Sequence, residues 1–336
     1  MSRWTLTDIP PQDGRTAVVT GAAGLGFETA RALARAGAQV VLASRNSERG
    51  AEAIARIRAE TPSAQIRFET VDLADLASVA AFADRLRGQT DSLDVLVNNA
   101  GVMSPPLRHE TADGFELQLG VNYLSHFALT GLVLPLLMKA GQARVVTVSS
   151  VAARRGRIDF ADLQSRRAYR PMAVYAQSKL ACLMFALELE RRSQSYGWGL
   201  ASLAAHPGIS RTNLLYSTPG GPSRLRRTMR GLLGFMFQSV PQGALPQLFA
   251  AAGAEAEGGA YYGPDGLAEL NGFPNEARIP LPATDEDACA RLWAVSQALT
   301  GAPFPTPPGR ASDAAQLESA LEDAVQRAGP SDQRPG

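Results

Sequence analysis

A tyrosine and a lysine stand four positions apart in the run Tyr175-Ala176-Gln177-Ser178-Lys179. Residues at i and i+4 share one face of a helix, so the two side chains are predicted to lie side by side. A phenol exchanges protons poorly at neutral pH, and a neighbouring ammonium group stabilises its phenolate form. The pair Tyr175 and Lys179 therefore predicts an acid/base catalyst, although both residue types are also ordinary on helix surfaces.

Glycines cluster early in the chain, in Thr20-Gly21-Ala22-Ala23-Gly24-Leu25-Gly26. The turn follows a predicted strand and precedes a predicted helix, where glycines let a pyrophosphate approach a positively polarised helix N-terminus. We predict a dinucleotide site here that uses Gly21, Ala23, Gly24, Leu25 and Gly26. A purely structural glycine turn is the alternative.

The second predicted strand ends with Ser44, Arg45 and Asn46, which we assign to cofactor binding. Proteins that prefer NAD usually place a carboxylate on the adenosine ribose at this point, and this chain has none. Arg45 can instead pair with a 2′-phosphate, which favours NADP(H) and leaves NAD(H) as the second choice. The alternative is a solvated arginine that opens the next helix, with Ser47 as its N-cap.

Strands and helices alternate along the chain, which predicts an α/β fold of the Rossmann-like, doubly wound type, with a parallel sheet and helices on both faces. The predicted strands are 15–20, 39–44, 65–71, 93–98, 144–149 and 199–205. The predicted helices are 27–36, 48–60, 76–87, 114–139 and 174–195. We expect a single domain over 1–302, with inserts at 151–172 and about 213–240, the latter a substrate lid, and a C-terminal extension over 303–336.

Composition excludes several classes of protein. The formal net charge is +1, so no overall field attracts nucleic acid or an anionic membrane. The two cysteines, Cys182 and Cys289, lack metal-ligand or disulfide-framework spacing and are interpreted as buried free thiols. The same lack of metal-ligand spacing predicts no metal site. We also predict no membrane span and a cytoplasmic location, because no signal-like segment or apolar run of about 18 residues is present.

Four further motifs accompany the Tyr175/Lys179 pair. They are Asn98-Asn99-Ala100-Gly101, the asparagine of Gly120-Val121-Asn122-Tyr123, the pair Ser149-Ser150, and Pro207-Gly208. In this order and approximate spacing they resemble the short-chain dehydrogenase/reductase family over about Asp13 to Gly301.

The resemblance implies a catalytic set. Ser150 hydrogen-bonds the reacting oxygen, Tyr175 exchanges its proton, Lys179 supports the phenolate and holds the nicotinamide ribose, and Asn122 supports a proton-relay water. Cofactor contacts are implied for Asp72, Leu73, Asn99, Ala100, Gly101, Tyr175, Lys179, Pro207, Gly208 and Thr212. It also implies a homodimer or homotetramer formed through the helix that carries Tyr175.

The spacing from Ser150 to Tyr175, the insert Arg154 to Gln164 and the stretch Leu292 to Gly301 resemble the retinol-dehydrogenase-like branch. Members of this branch act on hydrophobic alcohols, aldehydes and ketones. The expected activity is therefore hydride transfer between NADP(H) and a small hydrophobic alcohol or carbonyl compound.

One departure from the family is the glycine turn, which is one residue shorter than the family's TGxxxGxG. A shorter turn changes which N–H groups face a pyrophosphate, so one alternative function is a catalytically silent, dinucleotide-binding regulatory protein. A second alternative is an interaction protein that recruits a partner through the tail 303–336 and the Arg-rich inserts. Two further alternatives concern single residues. Ser149 and Ser150 could simply cap a turn, and His126 and His206, which lack partners at ligand spacing, are interpreted as structural.

Overall fold

The computed structural model describes residues 3–209 and 238–305. Their apolar runs form one sheet of eight strands: β1 Thr16–Thr20, β2 Gln39–Ser44, β3 Ile66–Thr70, β4 Val95–Asn98, β5 Ala143–Val148, β6 Leu200–Ala205, β7 Tyr261–Pro264 and β8 Pro274–Glu276. The strand order is β3-β2-β1-β4-β5-β6-β7-β8. Strands β1 to β7 pair in parallel, and β8 pairs antiparallel to β7.

Helices cover both faces of this sheet, which confirms the predicted fold class. Within the described ranges they are α1 Leu25–Arg35, α2 Ser47–Glu60, α3 Leu76–Gln89, α4 Leu117–Lys139, α5 Pro171–Tyr196, α6 Val240–Ala252 and α7 Glu286–Thr300. One buried core packs against α3, α4, α5 and α7, and a second against α1, α2 and α6. Neighbouring residues of β1 supply opposite faces, with Val18 in the first core and Val19 in the second.

Helix α4 differs from its predicted form. It begins at Leu117, later than expected, and contains a π turn over Gly120–Leu124. A π turn inserts one residue into a helix and often occurs beside a functional site. Asn122 lies in this turn.

Two helices, α4 and α5, are long and apolar enough to cross a membrane by length and hydropathy alone. In the structure, 83% of each apolar window is buried inside the molecule. The apolar character of both helices is thus used in packing against the sheet and its neighbours.

The chain packs beyond the predicted domain boundary at residue 302. Phe304 is 7% exposed and joins an aromatic cluster with Phe127, Trp293 and Trp198. Its ring centroid lies 4.9 Å from that of Phe127 and 4.4 Å from that of Trp293. The packed chain therefore extends at least to Phe304, and residues 306–336 of the extension lie outside the described ranges.

Arginine side chains from neighbouring helices contact the backbone of the edge strand β3. The Arg58 guanidinium donates to the Ile66 carbonyl at 2.8 Å, and the Arg85 guanidinium donates to the Thr70 carbonyl at 2.5 Å. At the other edge, β8 is three residues long and begins with Pro274, which has no N–H to donate.

Candidate active site

The predicted site segments meet at one edge of the sheet, because parallel strands end on the same side. The segments that follow the strands there are 21–26, 45–46, 71–73, 99–101, 149–150 and 206–208. The chain reverses its direction of winding between β1 and β4, which are neighbours in the sheet. A crevice at such a reversal is where open α/β sheets bind dinucleotides.

The glycine turn has a conformation that its sequence explains. Gly24 has φ 58° and ψ −126°, which only glycine adopts without strain, and α1 begins at the next residue, Leu25. Because the N-cap is a glycine, no side chain accepts a hydrogen bond from the first turn of α1. Those N–H groups and the helix dipole suit an anion, so these residues fit a dinucleotide pyrophosphate despite the shortened turn.

Side-chain hydrogen bonds join the glycine turn to the segment that follows β4. Thr20 Oγ1 accepts the N–H groups of Asn99 at 2.9 Å and Ala100 at 3.0 Å, and Asn99 Nδ2 donates to the Thr20 carbonyl at 2.7 Å. Gln247 Nε2, from α6, donates to Asn99 Oδ1 at 3.3 Å and to Thr29 Oγ1 at 2.5 Å. Asn99 therefore serves mainly to hold the β4 end against the turn.

The end of β2 carries the residues predicted to contact the adenosine, and the N-cap of the next helix differs from the prediction. Arg45 is exposed beside Ser44. The N-cap of α2 is Asn46 rather than Ser47, since Asn46 Oδ1 accepts the Arg49 N–H at 2.8 Å. Because this oxygen already caps the helix, Asn46 has less capacity to contact a cofactor than the sequence suggested.

Asp72 and Leu73 follow β3 at the same edge. Asp72 Oδ1 accepts the Ala74 N–H at 2.9 Å, which fixes the turn, and Leu73 is 7% exposed. The Leu73 carbonyl accepts the Ser125 hydroxyl. These contacts fix the chain after β3, where the sequence predicts an adenosine contact.

Helix α5 brings Tyr175 and Lys179 to the same edge. Tyr175 is 7% exposed and Lys179 is 4% exposed. The Lys179 ammonium donates to the Val148 carbonyl at 2.8 Å, and Ser149 Oγ donates to the Lys179 carbonyl at 2.7 Å. A Cβ atom placed on Gly101 would lie 3.6 Å from Lys179 Nζ, so the β4 and β5 ends converge on this lysine.

Asn122 is a hub between the β4 end and α5. Its amide binds both backbone groups of Val102, at 2.7 Å to the N–H and 3.0 Å to the carbonyl, and donates to Ser178 Oγ at 2.9 Å. Ser178 in turn donates to the Tyr175 carbonyl at 2.9 Å. The Asn122 carbonyl accepts from the buried thiol of Cys182 at 3.2 Å. The side chain of Asn122 thus positions the Tyr/Lys helix.

Ser150 sits at the start of a short helix, Val151–Arg155. Its Oγ accepts the Ala152 N–H at 3.2 Å, so it does cap this turn, and Tyr261 donates to its carbonyl at 3.4 Å. The capping and catalytic interpretations are compatible, because the hydroxyl hydrogen of Ser150 remains a donor.

Pro207 and Gly208 follow β6. Gly208 has φ +61°, and a Cβ atom there would clash with the Leu270 carbonyl. The Pro207 carbonyl accepts from Gln238 Nε2 at 2.5 Å. Thr212 and almost all of the predicted lid insert lie outside the described ranges.

Within those ranges, no group of three His, Cys, Asp or Glu side chains is placed to hold a metal ion.

A buried histidine links the glycine turn to the Asn122 hub. His126 Nδ1 lies 3.0 Å from the Asn122 carbonyl, and Nε2 lies 2.9 Å from Thr20 Oγ1. Burial, together with the charge of Lys179 and against the hydrogen bond to Asn122, lowers the pKa of His126 to about 4. The neutral ring therefore donates through Nδ1 and accepts through Nε2.

We predict that His126 makes the protein sensitive to acid. The pKa of His126 is lower in the folded state than in the unfolded state. The contribution of its neutral ring to the free energy of unfolding is therefore complete above pH 6.5 and is lost as the pH falls towards 4. At about 1.4 kcal/mol per pKa unit, the free energy of unfolding should drop by roughly 3 kcal/mol from this group. Urea unfolding at several pH values should show this drop, and His126→Gln should lack it. Equal pH dependence in both proteins would contradict the assignment.

Comparison with known proteins decides the family. The sequence model described as short chain dehydrogenase matches residues 15–219 of this chain. The chain is a short-chain dehydrogenase/reductase.

Two relatives place this short-chain dehydrogenase/reductase in the retinol-dehydrogenase-like branch, as the sequence predicted. It is 46% identical to polyprenol dehydrogenase of Mus musculus over 302 aligned residues, and the alignment covers 88% of this chain and 86% of the relative. It is 40% identical over 294 residues to retinol dehydrogenase 13 of Mus musculus, with 86% and 84% covered.

Solved structures share the fold of this short-chain dehydrogenase/reductase. An uncharacterised protein from Mycobacterium paratuberculosis matches with a TM-score of 0.74 and 40% identity, covering 91% of this chain and 100% of the other. A gluconate 5-dehydrogenase from Burkholderia cenocepacia, in complex with NADP and tartrate, matches with a TM-score of 0.55 and 25% identity, covering 74% and 92%.

Several residues of this short-chain dehydrogenase/reductase site were not predicted from the sequence. They are the bracing residues Thr20 and Gln247, the buried Tyr261, and Glu269, which contacts His206. Thr20 stands in the glycine motif and had a detectable signal. The other partners are far apart in the sequence and carry no local pattern that would have revealed them.

Proposed function

We propose that this protein is an NADP(H)-dependent oxidoreductase that interconverts a hydrophobic alcohol and the corresponding ketone or aldehyde. The observation that carries the proposal is the convergence of Lys179, the Asn122 hub and Ser149-Ser150 at the sheet edge that also holds the glycine turn. The buried Lys179 lies one helical turn from Tyr175, an arrangement suited to acid/base catalysis.

Each catalytic residue has a defined role in this proposal. The Ser150 hydroxyl donates to the reacting oxygen, and the Tyr175 hydroxyl delivers its proton during reduction and removes it during oxidation. The Lys179 ammonium stabilises the phenolate that results. Asn122 fixes the Tyr/Lys helix through Ser178, and the family resemblance assigns it the support of a proton-relay water. The nicotinamide, when bound, supplies or accepts the hydride.

The preference for NADP(H) rests on Arg45. The end of β2 offers a guanidinium and no carboxylate, and a 2′-phosphate pairs well with the first and is repelled by the second. The relative from Burkholderia cenocepacia was solved with NADP. The proposed cofactor site is completed by Gly21, Ala23, Gly24, Leu25, Gly26, Ser44, Asn46, Asp72, Leu73, Asn99, Ala100, Gly101, Tyr175, Lys179, Pro207, Gly208 and Thr212.

Arg45→Ala should weaken NADPH binding by about 10- to 100-fold, as expected when a charge-assisted hydrogen bond is lost. NADH affinity should change by less than about twofold, because NADH has no 2′-phosphate. Arg35→Ala, an exposed arginine in the last turn of α1, is the matched control and should change neither. Calorimetric titration measures both constants. An unchanged ratio of NADPH to NADH affinity in Arg45→Ala would remove Arg45 from the site.

The substrate class is proposed from the relatives, which are named for polyprenol and retinol, both hydrophobic alcohols. We further propose a homo-oligomer in the cytoplasm. Turnover of NADPH with retinal, farnesal and decanal, compared with a polar ketone such as 5-ketogluconate, tests the activity. Faster turnover of the apolar compounds is expected. Tight NADPH binding without turnover of any carbonyl compound would favour a silent regulatory protein.

A further inference from the structure

The loop between β7 and β8 touches both sides of the proposed reaction centre. Its central residue, Glu269, lies in no motif of the family resemblance. The Glu269 carboxylate lies 2.9 Å from His206 Nε2, forms an ion pair with Arg154, and accepts the Arg278 N–H at 3.1 Å. One carboxylate therefore connects three segments that are distant in the sequence.

Arg154 connects Glu269 to the segment that begins at Ser150. Arg154 belongs to the short helix Val151–Arg155, whose N-cap is Ser150, and its guanidinium also donates to the Ala268 carbonyl at 3.0 Å. Tyr261, on β7, donates to the Ser150 carbonyl at 3.4 Å. The short helix is thus held at both ends by the β7–β8 hairpin, which fixes the place of the Ser150 hydroxyl.

His206 connects Glu269 to the Pro207-Gly208 turn. The His206 side chain is fully buried, and its Nδ1 accepts the Gly208 N–H at 3.2 Å. With Nδ1 as acceptor, Nε2 carries the hydrogen and donates it to Glu269. The ring also packs beside Tyr261, with centroids 5.1 Å apart. Glu269 thereby selects the histidine tautomer that binds the turn.

The backbone of the loop is strained where the carboxylate is presented. Ala268 and Glu269 have φ values of 53° and 60°, in the left-handed region that residues other than glycine rarely adopt. Such a conformation persists only where the surrounding contacts fix it, and here the contacts are those of Arg154, His206 and Arg278.

We propose that Glu269 is a positioning residue for the reaction, holding the Ser150 segment and the Pro207-Gly208 turn at a fixed separation. It contacts no reacting atom and acts through Arg154 and His206. This inference rests on the proposed function, because the two segments flank the reaction centre only if Ser150 and Pro207-Gly208 serve catalysis and cofactor binding. Its structural part, the linkage itself, is measurable without turnover.

Hydrogen exchange on the protein without cofactor tests the linkage. In Glu269→Ala, amide exchange should accelerate at least tenfold in both segments, 151–156 and 206–209, while the segment around the glycine turn keeps its protection. Glu276→Gln is the matched control, since Glu276 is an exposed carboxylate on the same hairpin. Unchanged exchange in either segment of Glu269→Ala overturns the proposal, whether or not the protein is an active enzyme.

Kinetics then test the consequence. In Glu269→Ala, kcat should fall at least tenfold while the affinity for 2′,5′-ADP, which probes the adenosine side alone, stays within twofold. Glu269→Gln, which keeps an acceptor for the Arg278 N–H, should lie between wild type and alanine. Arg154→Ala should cause a similar loss, and the double variant should be no worse than either. Losses that simply multiply, or an unchanged kcat, overturn the proposal. A wild type that turns over no substrate contradicts the proposed function instead.

Discussion

Tyr175→Phe is expected to lower kcat by about 10²- to 10⁴-fold, the usual contribution of general acid/base catalysis. Phenylalanine fills the same space at this buried position, so folding and NADPH affinity should be preserved. Only the hydroxyl that exchanges the proton is lost. Single-turnover measurements at saturating NADPH isolate this step, and calorimetry checks that the cofactor still binds.

The control for this variant is Tyr262→Phe. Tyr262 is a buried phenol on β7 whose oxygen accepts the Glu257 N–H at 3.0 Å, and it packs in the second core with α6. Loss of the Tyr262 hydroxyl removes one neutral, part-buried hydrogen bond, so stability should fall slightly. The value of kcat should stay within about twofold, because Tyr262 has no assigned role in the reaction. If Tyr175→Phe and Tyr262→Phe had the same activity, Tyr175 would have no role in proton transfer.

Gly26→Ala is expected to weaken NADPH binding at least 100-fold. A Cβ atom at this position would clash with the Gly21 carbonyl oxygen and lie 2.6 Å from Asn99 Nδ2. Neither neighbour can move freely, because the Gly21 N–H donates to the Ala43 carbonyl at 2.7 Å and Asn99 Nδ2 is bonded to Thr20. The added methyl group must therefore displace the turn, and with it the N–H groups that would face the pyrophosphate.

Gly88→Ala is the matched control for this substitution. Gly88 lies in α3 with no atom within 4 Å of an added Cβ, so alanine there should stabilise the protein by up to about 1 kcal/mol. Titration with NADPH and thermal unfolding of both variants make the comparison. Normal NADPH affinity in Gly26→Ala would show that the shortened turn does not hold the pyrophosphate.

Much of the fold was predictable because the first six strands are short apolar runs separated by helices of recognisable length. Strand β2 was placed at its observed limits, 39–44, and the other five within one or two residues. The later elements were not predicted. Helix α6 contains Pro246 in its interior, a residue that usually ends a helix, and β7 and β8 are too short to show a clear alternation.

The candidate site likewise contains residues that the sequence indicated and residues that it did not. The Tyr175/Lys179 pair and the glycine turn could be proposed from the sequence because each lies within one short segment, and Ser150 was proposed from the family resemblance. The residues that hold them were not, because their partners are set by tertiary packing. Gln247 and Thr29 are separated by 218 positions, and Glu269 and His206 by 63, so no local pattern links them.

The arginines that cover β3 bear on how copies of this chain can associate. Strand edges with free backbone groups are the usual templates for joining two sheets, or for fibril growth. Here Arg58 and Arg85 already bind the carbonyls at the two ends of β3, and the opposite edge is a short strand that begins with proline. Any oligomer should therefore assemble through helix surfaces, and the sheet should stay within one subunit even at high protein concentration.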